Sequence, residues 1–307
     1  MAVLKPRTKV QPDRTFTVAA DGFFGAYYEP KDIKYPGKGM VICSGTDGSF
    51  LFTKLGAEMF YKAGMPVIAL GYWNQEGTPD DPFCIPVEYM HNACLWLKKE
   101  KVLHPGVWGI SLGGELSLLC GSLFSDIECV VAAAPVHIVS QTGSFNGGLH
   151  FAKGSPFSFQ GNPLPYVGVS EEKAAEYMKC MRRNFLRTFE PDMLFYYEEI
   201  LKSEHDPAAD IRVEKINGPI LLISGGADVM VPSNWVCEEV IKRLDKNGFK
   251  YPHTHKNYEL LSHYAAMFRP MSSGLFRVER KHRKECNANR EASWNYTLKF
   301  LKDEWKI

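Results

Sequence analysis

The 307-residue chain has almost no net charge, +1 at neutral pH, so no global field favours a nucleic acid or a membrane surface as a partner. It has no run of about eighteen apolar residues that would span a bilayer. Met1 to Arg14 is polar, contains two prolines and lacks the apolar core of a secretory signal. No C-x-x-C or H-E-x-x-H spacing marks a metal site and no glycine-rich phosphate loop marks a nucleotide fold, so neither metal nor cofactor is expected. Internal repeats and low-complexity segments are also missing. The eight cysteines (43, 84, 94, 120, 129, 180, 237 and 286) are scattered, mostly inside apolar segments, as reduced core thiols are, which points to a cytosolic protein. What remains is a chain with 45% hydrophobic residues, enough to bury a large core. The partner to expect is a small molecule.

The stretch that organises the chain is Pro105 to Cys120. A short apolar run with Val107, Trp108 and Ile110 meets Ser111, and Gly109 and Gly113 stand two residues to either side of it. This is the G-x-S-x-G spacing of a nucleophile elbow, a strand that turns sharply into a helix with a strained serine at its tip. Glycines at those two places let the strand and the helix pack closely. Leu116, Leu119, Cys120 and Leu123 then recur at helical spacing, which supplies the helix.

Upstream, Phe16 to Ala19 and Phe23 to Tyr28 are expected to form a hairpin across Ala20-Asp21-Gly22. Met40 to Cys43 is a short buried strand leading into Ser44-Gly45-Thr46-Asp47-Gly48-Ser49. A helix over 51–63 carries Leu51, Leu55 and Met59 and stops at Gly64. Pro66 to Leu70 reads as a strand, and Val87, Met90, Cys94 and Leu97 mark a helix face. Cys129 to Ala134 is a further strand. This alternation predicts an α/β fold, a mostly parallel twisted sheet of about eight strands with helices on both faces.

Between Pro135 and Pro219 the alternation stops. A Gly/Ser/Asn-rich loop over Gln141 to Gly148, a proline-rich Asn162 to Pro165 and helices around 171–187 and 191–202 fill the gap. Residues 136–218 are read as a lid inserted over the sheet's C-terminal edge, within one domain spanning 1–307. Lys173, Lys179, Arg182, Arg183 and Arg187 are read as its solvated face. The sheet resumes at Ile220 to Ser224, followed by Asp228 and a helix with Val236, Val240 and Leu244 facing inward. A last strand lies within Thr254 to Leu260, His263 follows it, and a final helix over 291–305 presents Trp294, Leu298, Leu301 and Trp305.

A serine hydroxyl is a poor nucleophile at neutral pH, so it needs a base and an acid that orients the base. Ser111, Asp228 and His263 stand in the chain order Ser, Asp, His that an elbow serine uses. His205, His253, His255 and His282 compete with His263, but His253 and His255 fall in or before the last strand. Oxyanion donors are expected from the Leu112 backbone N–H and from the loop after the Met40 to Cys43 strand, with Thr46 first and Gly45 and Asp47 beside it.

From about residue 39 onward the chain resembles the C-terminal catalytic domain of the acyl-coenzyme A thioesterase and bile acid-coenzyme A:amino acid N-acyltransferase family. The resemblance is carried by Ser44-Gly45-Thr46-Asp47-Gly48, Val67 to Asn74, Gly109 to Leu116, Leu164-Pro165-Tyr166-Val167-Gly168-Val169, Gly226-Ala227-Asp228 and Ser262-His263-Tyr264. It implies an α/β-hydrolase fold, the triad Ser111, Asp228 and His263, and fatty or bile acyl thioesters of coenzyme A as substrates. Fewer than about forty residues precede the sheet, too few for the β-sandwich of about a hundred residues that thioesterase members carry, so a stand-alone catalytic domain is expected. The family's amino acid transferases resemble a cysteine-nucleophile version, whereas this elbow carries serine, which favours hydrolysis. The segment Arg269 to Lys284, with Arg277, Arg280, Lys281, Arg283 and Lys284, is read as a solvated basic loop, with coenzyme A phosphates as its alternative use.

The expectation is therefore a serine hydrolase of an acyl thioester. The rivals are an esterase, dienelactone hydrolase-like enzyme or peptidase on an oxygen ester or amide, an acyltransferase to an amine or alcohol, and a hydrolase-fold binding protein without turnover.

Overall fold

The computed structural model describes residues 8–144, 150–265, 268 and 271–307. In chain order the elements begin with β1 (Arg14–Phe16), α1 (Val18–Asp21), β2 (Phe24–Tyr28), β3 (Lys38–Cys43), α2 (Phe50–Lys62), β4 (Val67–Gly71), β5 (Ile85–Pro86), α3 (Glu88–Glu100), β6 (His104–Ile110), α4 (Leu112–Leu123) and β7 (Val130–Ala133). Four short strands follow, β8 (Gly143–Ser144), β9 (His150–Phe151), β10 (Phe157–Phe159) and β11 (Asn162–Pro163), then α5 (Glu171–Thr188) and α6 (Leu194–Lys202). The chain closes with β12 (Ile220–Gly225), α7 (Ser233–Lys246), β13 (His253–Tyr258), α8 (Arg277–Lys281) and α9 (Arg283–Asp303).

The main sheet has eight strands in the order β1-β2-β4-β3-β6-β7-β12-β13. β2 runs antiparallel to β1 and β4, and the pairings from β4 through β13 are parallel. Its central strands are apolar on both faces, as a sheet covered twice requires. Val41, Val107, Val130, Ala132, Ile220 and Leu222 join one core, while Met40, Ile42, Trp108, Ile110, Val131, Leu221 and Ile223 join the other. The first core is closed by α3, α4 and α7 through Met90, Leu97, Leu116, Val240 and Leu244. The second is closed by α2 and α9 with its tail, through Ala57, Phe60, Phe300, Leu301 and Trp305.

β4 lies on one side of β3 and β6 on the other, so the order reverses there. The helices that follow β3 and β6, α2 and α4, therefore cover opposite faces, and the crevice at this reversal is where this sheet type holds ligands. β12 and β13 are neighbours in register, with Gly225 opposite Tyr258, so the loops after them also meet.

Three expectations change. The 16–28 hairpin is joined by a single helical turn, α1, capped by the Thr17 hydroxyl and ended by Gly22 at φ 75°, so Asp21-Gly22 ends a helix in place of making a two-residue turn. The buried face of α2 is Thr53, Gly56, Ala57, Glu58 and Phe60, while Leu51, Leu55 and Met59 are half-covered. Small residues let that helix lie close to the sheet. The basic stretch 277–284 is helical, as α8 and the start of α9, instead of a loop; Arg269 lies outside the described residues, as do 1–7 of the N-terminal segment and 145–148 of the Gly/Ser/Asn-rich loop. Among the described residues no helix is long and apolar enough to cross a membrane. All eight cysteines are free, with Cys84 and Cys180 half-buried and the rest buried.

Leu221 stands fully buried in β12 between β7 and β13. Leu221→Ala is expected to lower unfolding free energy by about 2–5 kcal/mol, read from urea denaturation followed by circular dichroism.

Candidate active site

Ser111 has φ 57° and ψ −125°, a left-side backbone conformation that a serine adopts only where its surroundings impose it. What imposes it is contact. A Cβ added to Gly109 would fall 1.9 Å from the Gly113 carbonyl oxygen, and one on Gly113 would fall 2.2 Å from the Ser44 carbonyl oxygen. Neither glycine has positive φ. They are required for close approach, because strand β6, helix α4 and the loop after β3 cross at nearly bare backbone. A Cβ on Gly45 would likewise lie 2.9 Å from Ser111 Cβ, so this loop rests directly on the serine. The Tyr72 hydroxyl donates to the Ser44 and Gly45 carbonyls, and Trp73 Nε1 donates to the Gly45 carbonyl, which fixes the loop from behind.

Asp228 and His263 come together across the β12–β13 edge. His263 Nδ1 lies 2.9 Å from Asp228 Oδ2 and 3.1 Å from Oδ1. Oδ1 also accepts from the Met230 and Val231 amides and Oδ2 from the Ser233 hydroxyl, so the carboxylate is held from several directions. Both side chains are buried, at 5% exposure for His263 and 1% for Asp228. With Nδ1 facing a carboxylate, Nε2 is left to exchange a proton with a group in the cavity. Ser111, His263 and Thr46 line two spaces that meet there, and Gly45 and Asp47 line the second. Among the described residues Ser111 Oγ makes no hydrogen bond, a looseness common before substrate closes a site. The competing histidines lie elsewhere: His205 pairs with Asp210, His253 with Asp245, His255 with the Ser224 hydroxyl, and His282 precedes α9.

The Leu112 amide, at the first turn of α4, has no acceptor among the described residues, and the same holds for the amides of Gly45 and Thr46. Hydroxyl, imidazole, carboxylate and open amides in one crevice can together carry out acyl transfer.

The cavity extends beneath the insertion. A narrow space of about 20 Å³ beside Ser111 is bounded by Phe151, Met178, Met181, Met193 and Tyr197. Met178, Met181 and Met193 also wall a groove of about 670 Å³ that runs along α5 past Phe185 and Leu275. Arg280 closes this side, donating to the carbonyls of Thr188, Phe189, Gly274 and Leu275, and Glu190 accepts from the Arg277 amide. Arg280 is thus committed to holding the end of α5.

One group escaped the reading of the sequence. Glu115, one turn into α4, is buried and accepts from the Ser140 amide and hydroxyl at 3.0 and 2.9 Å. Burial pushes its carboxyl up to about 8, against the opposing effect of the Ser140 hydrogen bonds. Only a carboxyl one turn after the elbow serine signalled it in sequence.

A family model described as BAAT / Acyl-CoA thioester hydrolase C terminal matches residues 85–272, more than half of the chain. The chain belongs to this family. It is 28% identical over 220 residues to the human protein named acyl-coenzyme A thioesterase 2, mitochondrial, covering 71% of this chain and 40% of that one. To the mouse peroxisomal succinyl-coenzyme A thioesterase it is 25% identical over 229 residues, covering 75% of this chain and 49% of the other. The chain thus spans less than half the length of these relatives. In fold it is similar to an α/β hydrolase from a Penicillium species (TM-score 0.53, 14% identity, 93% and 95% of the two chains covered) and to an acylaminoacyl peptidase from Pyrococcus horikoshii (TM-score 0.55, 11% identity, 92% and 40% covered). The fold is that of the α/β hydrolases.

Two outcomes are expected. Gly113→Ala forces a Cβ onto the Ser44 carbonyl, so it should cost about 1–3 kcal/mol in urea denaturation and abolish labelling of Ser111 by a fluorophosphonate. Glu115 binds its proton more tightly folded (about 8) than unfolded (ordinary value 4.5), so its contribution favours folding below pH 4.5 and is lost as pH rises to about 8. Glu115→Gln should flatten the fall of the urea midpoint across that window, relative to wild type.

Proposed function

We propose that the chain is a serine hydrolase that cleaves acyl thioesters, with residues 136–218 acting as a lid within a single domain. The observation that carries this reading is the convergence of an elbow serine and a carboxylate-held histidine on one apolar crevice.

In the proposed reaction, His263 Nε2 takes the proton of Ser111 as Oγ adds to the thioester carbonyl. Asp228 holds the imidazole in orientation and stabilises it while it is positively charged. The developing oxyanion is received by the Leu112 amide and by an amide of the Gly45, Thr46 and Asp47 loop, with Thr46 preferred. Collapse breaks the carbon–sulfur bond, the thiolate leaves with the proton from His263, and an acyl-enzyme remains on Ser111. Water then enters and, as His263 takes one of its protons, its oxygen adds to the acyl carbonyl; collapse breaks the bond to Ser111 Oγ, which takes the proton back from His263, and frees the carboxylic acid.

The family match and the names of the relatives support a coenzyme A thioester as substrate, and serine at position 111 supports water as the acceptor. The apolar groove behind the serine suits the acyl chain. The narrow space beside Ser111 shares Met178, Met181, Met193 and Met230 with that groove, so a chain held at Ser111 would continue along these methionines.

Thiol release from coenzyme A thioesters of increasing chain length, beside matching p-nitrophenyl esters, tests the proposal. We expect kcat/KM to rise by up to about fourfold per methylene until the groove is filled, and to vanish in Ser111→Ala. Ester turnover without thioester turnover would overturn the substrate assignment. Met181→Trp should lower the ratio of long-chain to short-chain kcat/KM by about tenfold, because the indole would fill the groove's entrance.

A further inference from the structure

Behind His263 lies a buried polar chain that the reaction itself does not use. Ser262 and Glu279 have no exposure and Arg290 has 3%. The Arg290 guanidinium pairs with Glu279 Oε1, and the Ser262 hydroxyl donates to the same oxygen at 2.8 Å. The Ser262 oxygen in turn accepts from the Tyr264 amide at 3.3 Å. One hydroxyl thereby spans the residues on both sides of His263 and fastens them to α8, while Arg290 of α9 fastens the carboxylate.

Other contacts hold the segment as well: the Ala265 amide donates to the His263 carbonyl, the Leu261 amide to the Tyr258 carbonyl, and the Ser272 hydroxyl to the Tyr264 hydroxyl. The Leu261 carbonyl accepts from the Ala227 amide, and Gly225 packs so closely that an added Cβ would meet the Leu261 and Ser262 carbonyl oxygens at 2.3 and 2.5 Å. These hold the backbone just ahead of His263. Beyond it, the Tyr264 ring meets Phe276 edge-on at 5.3 Å, at the entry to α8. Asp228 fixes the ring through Nδ1, but a ring on a loose backbone still swings Nε2 away from Ser111.

A buried ion pair adds little net stability over an apolar pair of the same volume, because both charges lose their hydration. Its charge does supply a strong, fixed acceptor for a hydroxyl. We propose that Ser262, anchored by the Glu279–Arg290 pair, is a positioning residue that sets the backbone of His263 and so the reach of its Nε2 to Ser111. The proposal rests on the reading of Ser111 and His263 as nucleophile and base.

Ser262→Ala removes the tether and leaves the ion pair intact. The test is the second-order rate of Ser111 labelling by a fluorophosphonate, with kcat and KM for p-nitrophenyl butyrate, each taken below the variant's own thermal midpoint. The labelling rate and kcat should fall on the order of tenfold with KM unchanged, since a small misplacement of the base affects the chemical step alone. Wild-type labelling by Ser262→Ala, with or without a lower midpoint, would overturn the proposal. Should Ser262→Ala not remain folded, Glu279→Gln with Arg290→Met carries the same test. Its carboxamide can still accept from Ser262 but has lost the guanidinium that holds the carboxylate, so the same fall is expected and a wild-type rate again overturns the proposal. A wild-type protein that the probe does not label would defeat the reading of Ser111 itself, and the proposal with it.

Discussion

Everything at the candidate site depends on one steric fact, the near-contact of three backbones around Ser111. Gly109 faces Gly113 across the elbow, Gly113 faces Ser44, and Gly45 faces Ser111. A side chain at any of these positions separates the strand from the helix or the loop from the serine. The strained φ of Ser111 persists because the sheet on one side and α4 on the other leave its backbone no alternative. Cys43 and Gly109 are partners in the β3–β6 register, so the loop after β3 and the serine leave the sheet at the same level. The topology places these parts together before any polar interaction acts.

Around this rigid centre the polar groups are held in tiers. Asp228 is fixed by two amides and a hydroxyl, and it fixes His263. Glu115 joins α4 to Ser140 at the root of the insertion, so the helix that presents the serine and the segment that covers it share a buried carboxyl. Farther out, Arg243 of α7 binds Glu214 through two nitrogens and Asp210 through the third, and this secures the far end of the insertion. The insertion also carries its own apolar cluster, with Tyr196, Tyr197, Ile200 and Val136 packed toward Val231 and Val236. It is fastened at both ends and filled in the middle.

The three residues that meet at the candidate site are the most legible in sequence, for a local reason. Ser111 is flanked by its required glycines, and Asp228 and His263 each follow a strand that leads to the same edge, so short-range pattern and chain order suffice. Legibility falls where the partner is distant. Glu279 and Arg290 are ordinary surface residue types in a basic, helical stretch, and nothing within the stretch reveals that both turn inward to meet Ser262. The inward face of α2 was missed because counting large apolar residues favours Leu51, Leu55 and Met59, whereas the sheet takes the side with Gly56 and Ala57. Charge alone made 277–284 resemble a loop. Arg280 there spends its donors on four carbonyls, which composition cannot express.

The groove beside Ser111 is walled by four methionines, Met178, Met181, Met193 and Met230, where leucine or isoleucine could have stood. Unbranched thioether side chains change rotamer at little cost and remain in contact with whatever shape displaces them. Such a wall is compliant. Under the proposed function it would grade acyl chains by the surface they hide and leave outline nearly unread, with selectivity falling to the stiffer parts of the crevice.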